Sequence, residues 1–291
     1  MTTNVLVALK NILENSENEL LKVYRSKVNN RANNMGDALE YYLKDVFCNT
    51  LDIYDFNEQE RKYSNYLSYM GNNNNPPDFI IKGDAAVEVK KLEGMGFGHI
   101  ALNSSHPKDK LNVDSTLINN ACKVCEDDIG GWTEKEMIYA IGNIRNNKLR
   151  VLWLLYGDCY CANENTYLKM KNTISTGIKT IPGVDFAESN ELGRVNKVDP
   201  LGITYLRIRG MWGIEHPMSV FNYLVGNYNK TTNYQVYVLM LKEKYEVLPQ
   251  EDKENLKQYI ESGKLKGYNV EIKNPNNPAK YMEAVFFEAT L

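Results

Sequence analysis

Long apolar runs, histidine, excess positive charge and paired cysteine are all scarce in this chain, and each scarcity removes a class of protein. No apolar stretch approaches the roughly 18 residues that a membrane span requires. The longest, Val151 to Tyr156, suits a buried strand. The opening residues lack the basic flank, apolar core and small-residue cleavage site of a secretory signal, so a cytoplasmic protein is expected. The formal net charge is −3, which argues against a protein that coats nucleic acid by bulk attraction. It leaves room for a cleft lined with a few basic residues, since phosphate contacts need only local Lys or Arg. Five cysteines, an odd number in a chain without an export signal, point to reduced thiols rather than a disulfide framework. Cys122, Cys125, Cys159 and Cys161 are enough for a four-thiolate zinc site. The one-residue gap of the second pair is tighter than usual for zinc, and ordinary core or surface cysteines are favoured. His99, His106 and His216 show no metal-ligand spacing, so no histidine chemistry is assigned.

What remains is a chain of 291 residues, 43% of them hydrophobic, ample for a packed core. There is no internal repeat, long linker or abrupt change of composition, and a single α/β domain over residues 1–291 is expected. Two short helices broken near Asn15-Ser16 are read between Asn4 and Leu21. After a polar stretch from Asn29 to Asn34, Leu39, Tyr42, Leu43, Val46 and Phe47 recur at helical spacing, with Glu40 at the edge of the stripe. Gly71 to Pro77 is a loop. Asp78–Ile81 and Ala85–Lys91 flank a Lys-Gly-Asp turn and read as a hairpin. Thr116 to Ile129 is read as helical, Val151–Tyr156 as a strand covered on both faces and Ile203–Arg209 as a strand. A further strand follows within Tyr234–Val247, then a helix from Pro249 to Ser262 ended by Gly263, and β-like residues from Met282 to Leu291. The twenty tyrosines are scattered through apparent core positions and are read as mainly structural.

The chemistry centres on Pro77-Asp78 and Glu88-Val89-Lys90. Strand side chains alternate, so Glu88 and Lys90 share a face, and the hairpin returns Asp78 beside them. Two converging carboxylates repel, and a hard divalent cation relieves that repulsion; oxygen ligands with retained waters suit Mg²⁺. Asp78, Glu88 and the Val89 carbonyl are the expected ligands, with Glu40 as an outer or second-metal ligand. Lys90 is expected to orient the attacking water and offset charge on a phosphate. The spacing Asp-x9-Glu-x-Lys is weak alone, because Glu-x-Lys on an exposed strand is usually a solvated ion pair. The Pro-Asp opening, the hairpin, the upstream Gly-x3-Glu helix and the later helix–strand follow the order of a PD-(D/E)xK nuclease core.

The segments NNMGDALEYYLKDVFCN, PPDFIIKGDAAVEVKK and IALNSSHPKDKL resemble the NgoPII family of type II restriction endonucleases. That resemblance implies a homodimeric, Mg²⁺-dependent enzyme that cuts double-stranded DNA within the palindrome GGCC. It implies Asp78, Glu88 and Lys90 as the catalytic motif, with Glu40 at the acidic position of the first core helix. The expected fold is an αβββαβ restriction-endonuclease-like core, a central mixed sheet flanked by helices. The nuclease core is placed at roughly 34–160, with recognition and dimerisation elements in 161–291. A cognate DNA methyltransferase is the expected companion, since the host's own sites need protection.

A palindrome calls for two-fold protein symmetry. Guanine presents N7 and O6 in the major groove, and Arg207 and Arg209, two residues apart on one strand face, have the spacing to address neighbouring guanines. A pair of surface charges explains the same spacing equally well. Asn103, Ser104, Ser105, Lys108 and Lys110, close after the catalytic strand, carry donors suited to phosphates or base edges. Lys22, Arg25, Lys27 and Arg31 form a basic cluster that fits either phosphates or a solvated helix face. Two rival readings share the motif: a repair or junction-resolving nuclease of the same superfamily, and a DNA-binding protein that keeps the fold without cutting.

Overall fold

In the computed structural model, residues 2–15, 31–53, 55–72, 74–225 and 234–291 are described. Helix α1 (Val5–Glu14) is started by Asn4, whose side-chain oxygen accepts from Leu6 N and Val7 N. Its apolar residues Val5, Leu6, Leu9, Ile12 and Leu13 are all fully buried. The expected second helix before Leu21 lies outside the described residues, as do Lys22, Arg25 and Lys27. Helix α2 (Arg31–Cys48) begins inside the Asn29–Asn34 stretch that the sequence marks as a break. The apolar stripe behaves as its spacing predicts, with Leu39, Tyr42, Leu43, Val46 and Phe47 buried. Asn49, in the left-handed region at φ 52°, ends it. Helix α3 (Phe56–Tyr66) leads into the sheet.

The strands are β1 (Leu67–Tyr69), β2 (Phe79–Ile81), β3 (Ala86–Glu93), β4 (Ile100–Asn103), β5 (Lys110–Asn112), β6 (Glu134–Arg145), β7 (Lys148–Tyr156), β8 (Gly193–Asn196), β9 (Tyr205–Ile208), β10 (Trp212–Ile214), β11 (Gln235–Leu241), β12 (Leu265–Asn274) and β13 (Asn277–Thr290). The central sheet runs β1-β2-β3-β6-β7-β11-β13-β12, with β5 added beside β6. β3 is parallel to β6 and β7 is parallel to β11, while the other pairs are antiparallel. Residues Val151–Tyr156 and all of β11 are buried, as strands sandwiched between layers must be. Trp153 anchors that core, its ring 4.8 Å from Tyr237 and 5.9 Å from Phe286. Helices α4 (Glu164–Ile178), α5 (Lys242–Val247) and α6 (Gln250–Glu261) complete the longer helices, and Gly263 at φ 74° follows the last as expected.

Three differences from the sequence reading have physical causes. Thr116–Ile129 holds only single turns, Asn120–Lys123 and Asp127–Ile129. Asn119 accepts from Cys122 N and caps a helix that then stops, so the crossover from β3 to β6 carries no long helix. Strand β6 has no counterpart in the sequence reading, although it lies at the middle of the sheet. Its apolar run is interrupted by Gly142 and Asn143, and its true signal is the Asn146-Asn147 turn to β7, both residues having positive φ. Strand β12 is also new; it pairs with β13 along its whole length, and its many exposed residues hide it from a hydrophobicity reading.

Candidate active site

The hairpin of β2 and β3 sets Asp78 by backbone pairing. Asp78 N donates to Val87 O at 3.0 Å, the last rung of the ladder, and its carboxylate Oδ2 then accepts the next free amide, Val89 N, at 2.6 Å. The loop before it is shaped by Gly71, at φ 81°. A side chain there would put a Cβ 2.1 Å from the Asp78 carbonyl oxygen, so only glycine allows this approach. The turn of the hairpin is pinned from below: Glu126 accepts from Ser68 Oγ and Gly83 N, and pairs with Lys135 at 2.8 Å where both are buried.

Glu88 and Lys90 share a face, as the alternation requires, and Lys90 Nζ donates to Glu88 Oε1 at 2.6 Å. Both side chains are largely covered. The second oxygen, Glu88 Oε2, is buried with no hydrogen-bond partner. Burial, and next the Glu88 and Glu40 charges, push Asp78 up to about 7, against the pull of the Val89 amide and Lys90. Burial alone would lower Lys90, but the Glu88 carboxylate outweighs it and holds the amine above its ordinary value. Glu40 is close enough to act on Asp78, yet its own carboxylate is tied to Lys44 at 2.6 Å. Lys44 also donates to Met70 O. Among the described residues no three His, Cys, Asp or Glu side chains gather as a ready-made metal cage. A carboxylate pair with one orphaned buried oxygen and a raised acid is nevertheless what a hard cation would relieve, so Asp78 and Glu88 fit such an ion.

The expected DNA contacts separate into two groups. Asn103 and Ser104 are exposed, and Ser104 lines a cleft of about 400 Å³ together with Arg209, Glu191 and Trp212. The β4–β10 ribbon, with Asn103 opposite Trp212, is what joins the two segments. Lys110 is exposed and paired with Glu134 at 2.7 Å. Lys108, read from the sequence as a surface donor, is 4% exposed, because its loop folds inward over β6. Its ammonium donates to Ser105 Oγ and to His106 O. Arg207 and Arg209 are exposed on and just beyond β9, which among the described residues pairs only with β8. Both reach Glu191: Arg207 Nε donates to each carboxylate oxygen at 2.9 Å, and Arg209 Nε to Oε1 at 2.6 Å. Those two arginines hold Glu191 down to about 2. Of these residues Glu191 escapes sequence reasoning, since a lone acid carries no spacing signal.

His106 and His216 serve packing. His216 Nδ1 accepts from Met218 N and its Nε2 meets Asn143 Oδ1 at 2.9 Å, while burial pushes it down to about 4. Arg31 opens α2, and its side chain lies outside the described residues. Among the described residues no helix is long and apolar enough to cross a membrane.

Fold and site together define an α/β protein whose central mixed sheet carries an acid–lysine cluster. A model of the NgoPII restriction endonuclease family matches residues 3–273. Type II restriction enzyme NgoPII of Neisseria gonorrhoeae is 45% identical over 262 residues, covering 89% of this chain and 90% of that protein. The chain therefore belongs to the NgoPII restriction endonuclease family, and with it to the type II restriction enzymes. No solved structure matches it.

Proposed function

We propose that this protein hydrolyses phosphodiester bonds of double-stranded DNA at a short palindrome, GGCC, as a Mg²⁺-dependent homodimer of the PD-(D/E)xK kind. The observation that carries the reading is the meeting of Asp78, Glu88 and Lys90 on the β2–β3 hairpin, with Glu88 Oε2 buried and unpartnered. Asp78, Glu88 and the Val89 carbonyl would hold the cation, and Glu40 would act from outside that set through Lys44. When bound, Mg²⁺ supplies Lewis-acid polarisation of the phosphate. Lys90 orients the water and offsets the charge that grows on the phosphate oxygens. Asn103, Ser104 and Ser105 follow the backbone or base edges, and Arg207 and Arg209 leave Glu191 to grip guanine edges. Residues 34–160 form the catalytic unit, and 161–291 supply recognition and dimer contacts. The protein works in the cytoplasm beside a methyltransferase of the same specificity.

The test is digestion of a long mixed-sequence duplex with Mg²⁺, followed by sequencing of the ends. Discrete fragments ending within GGCC are expected. Ragged products, or cuts confined to branched or damaged DNA, would transfer the chain to the repair and junction-resolving nucleases. Binding without any cut would make it a non-cleaving DNA-binding protein.

A further inference from the structure

Among the described residues, Lys108 is the buried ammonium near the centre for which the catalytic reading has no use. Its loop crosses the sheet between β4 and β5 and is clamped there twice. Lys108 N donates to the Tyr139 hydroxyl at 2.8 Å. At Gly157, a Cβ would meet Lys108 O at 2.5 Å and Asp109 O at 2.6 Å, so no larger residue lets the loop lie this close. Tyr139 is the β6 register partner of Glu88, and neighbours in register stand on the same face of a sheet. The clamp therefore lays Lys108 over the face that carries Glu88.

The ammonium there donates to two neutral oxygens, Ser105 Oγ and His106 O, which leaves a third N–H to spend. Among the described residues it has no ion-pair partner; Glu88 is the acid that acts on it most strongly, and Glu164, which acts next, is engaged by His106 at 3.1 Å. Lys90, by contrast, is already bound to Glu88. A buried cation without a counter-ion in contact is unfavourable unless an anion arrives. Burial accordingly pushes Lys108 down to about 8. The one anion that the reaction brings to this face is the phosphodiester.

We propose that Lys108 is a second lysine of the active centre, holding its free N–H for a non-bridging oxygen of the scissile phosphate rather than for a DNA groove. This rests on the nuclease reading above, and the two can fail separately.

The test is a binding cycle on the full-length protein without metal. It uses the duplex that the chain cuts and the same duplex with an uncharged methylphosphonate at the scissile position. Lys108→Met should weaken binding of the ordinary duplex about tenfold or more and leave the methylphosphonate duplex unaffected. With Mg²⁺, single-turnover cleavage should fall about a hundredfold, and Lys108→Arg should recover part of it. Equal weakening whichever phosphate is neutralised would make Lys108 a groove contact and overturn the assignment. A lowered melting temperature with no coupling to the scissile phosphate would make it structural and also overturn it. Wild-type cleavage in Lys108→Met would sink this assignment alone, whereas a wild-type chain that cuts no DNA would sink the nuclease reading and this one with it.

Discussion

The β2–β3 hairpin and the β8–β9 ribbon both carry the charged residues expected to meet DNA, and they hold them in opposite ways. On the hairpin, Asp78, Glu88 and Lys90 are covered, tied to backbone amides and to one another, and backed by a central sheet. On the ribbon, Arg207 and Arg209 are exposed and, among the described residues, pair with Glu191 alone. Burial makes charge expensive, so the hairpin stores electrostatic tension that, on the proposed reading, an ion and a phosphate would release. Solvent screens the ribbon, so its ion pairs contribute little to stability and exchange readily for other partners. Chemistry needs the first arrangement, where geometry is held before substrate arrives. Reading a sequence needs the second, where a side chain must give up one partner for another.

That contrast can be broken most sharply at Glu88. Glu88→Ala should reduce Mg²⁺-dependent cleavage roughly a thousandfold or more while the circular dichroism spectrum stays that of the wild type. Full activity would remove Glu88 from the mechanism. Gly71→Ala comes next, because its methyl group cannot share space with the Asp78 carbonyl. It should cost about 1–3 kcal/mol in denaturant unfolding and carry cleavage down with it. An unchanged midpoint would mean that the loop yields freely.

On the ribbon, Arg207→Ala should lower discrimination between the cognate and a single-substituted site by about 1–3 kcal/mol. Thermal stability should stay within about 0.5 kcal/mol of the wild type, as for other exposed positions. Loss of stability without loss of discrimination would reverse the assignment of roles between the two regions.

The smallest effect is the pH dependence of stability. Asp78 keeps its proton up to about 7 in the folded chain but releases it near 3.8 when unfolded. Its contribution is therefore complete below about pH 4 and is lost as the pH rises through 7. Without metal, Asp78→Asn should remove that decline and melt about 2–4 °C above the wild type at pH 8, with the gain shrinking towards pH 4. Mg²⁺ should restore the wild type above pH 7, where the carboxylate is free to bind it. A difference that does not vary with pH would rule out a raised Asp78.

Much of the hairpin was legible before any fold was known. The Gly-Asp turn between two β-rich runs, the alternation of Glu88 and Lys90, and the helical stripe of α2 are all local signals, set by backbone geometry within a dozen residues. The strands β6 and β12 were not legible. Polar or small residues interrupt the first, and the second has an exposed, charged face, so neither shows a clean period. The helix expected at Thr116–Ile129 misled for the opposite reason: its composition allowed a helix, but Asn119 and the path back to β6 allow only a single turn.

The sequence by itself determined which residue types face one another across a strand and where the chain must turn, because those follow from periods of two and of about 3.6 and from a few permissive residues. Only the tertiary structure decided that Lys108 is buried, its loop held to Tyr139, and that Arg207 and Arg209 share one carboxylate. Burial and long-range pairing depend on segments up to dozens of residues apart packing together, and no local pattern encodes that.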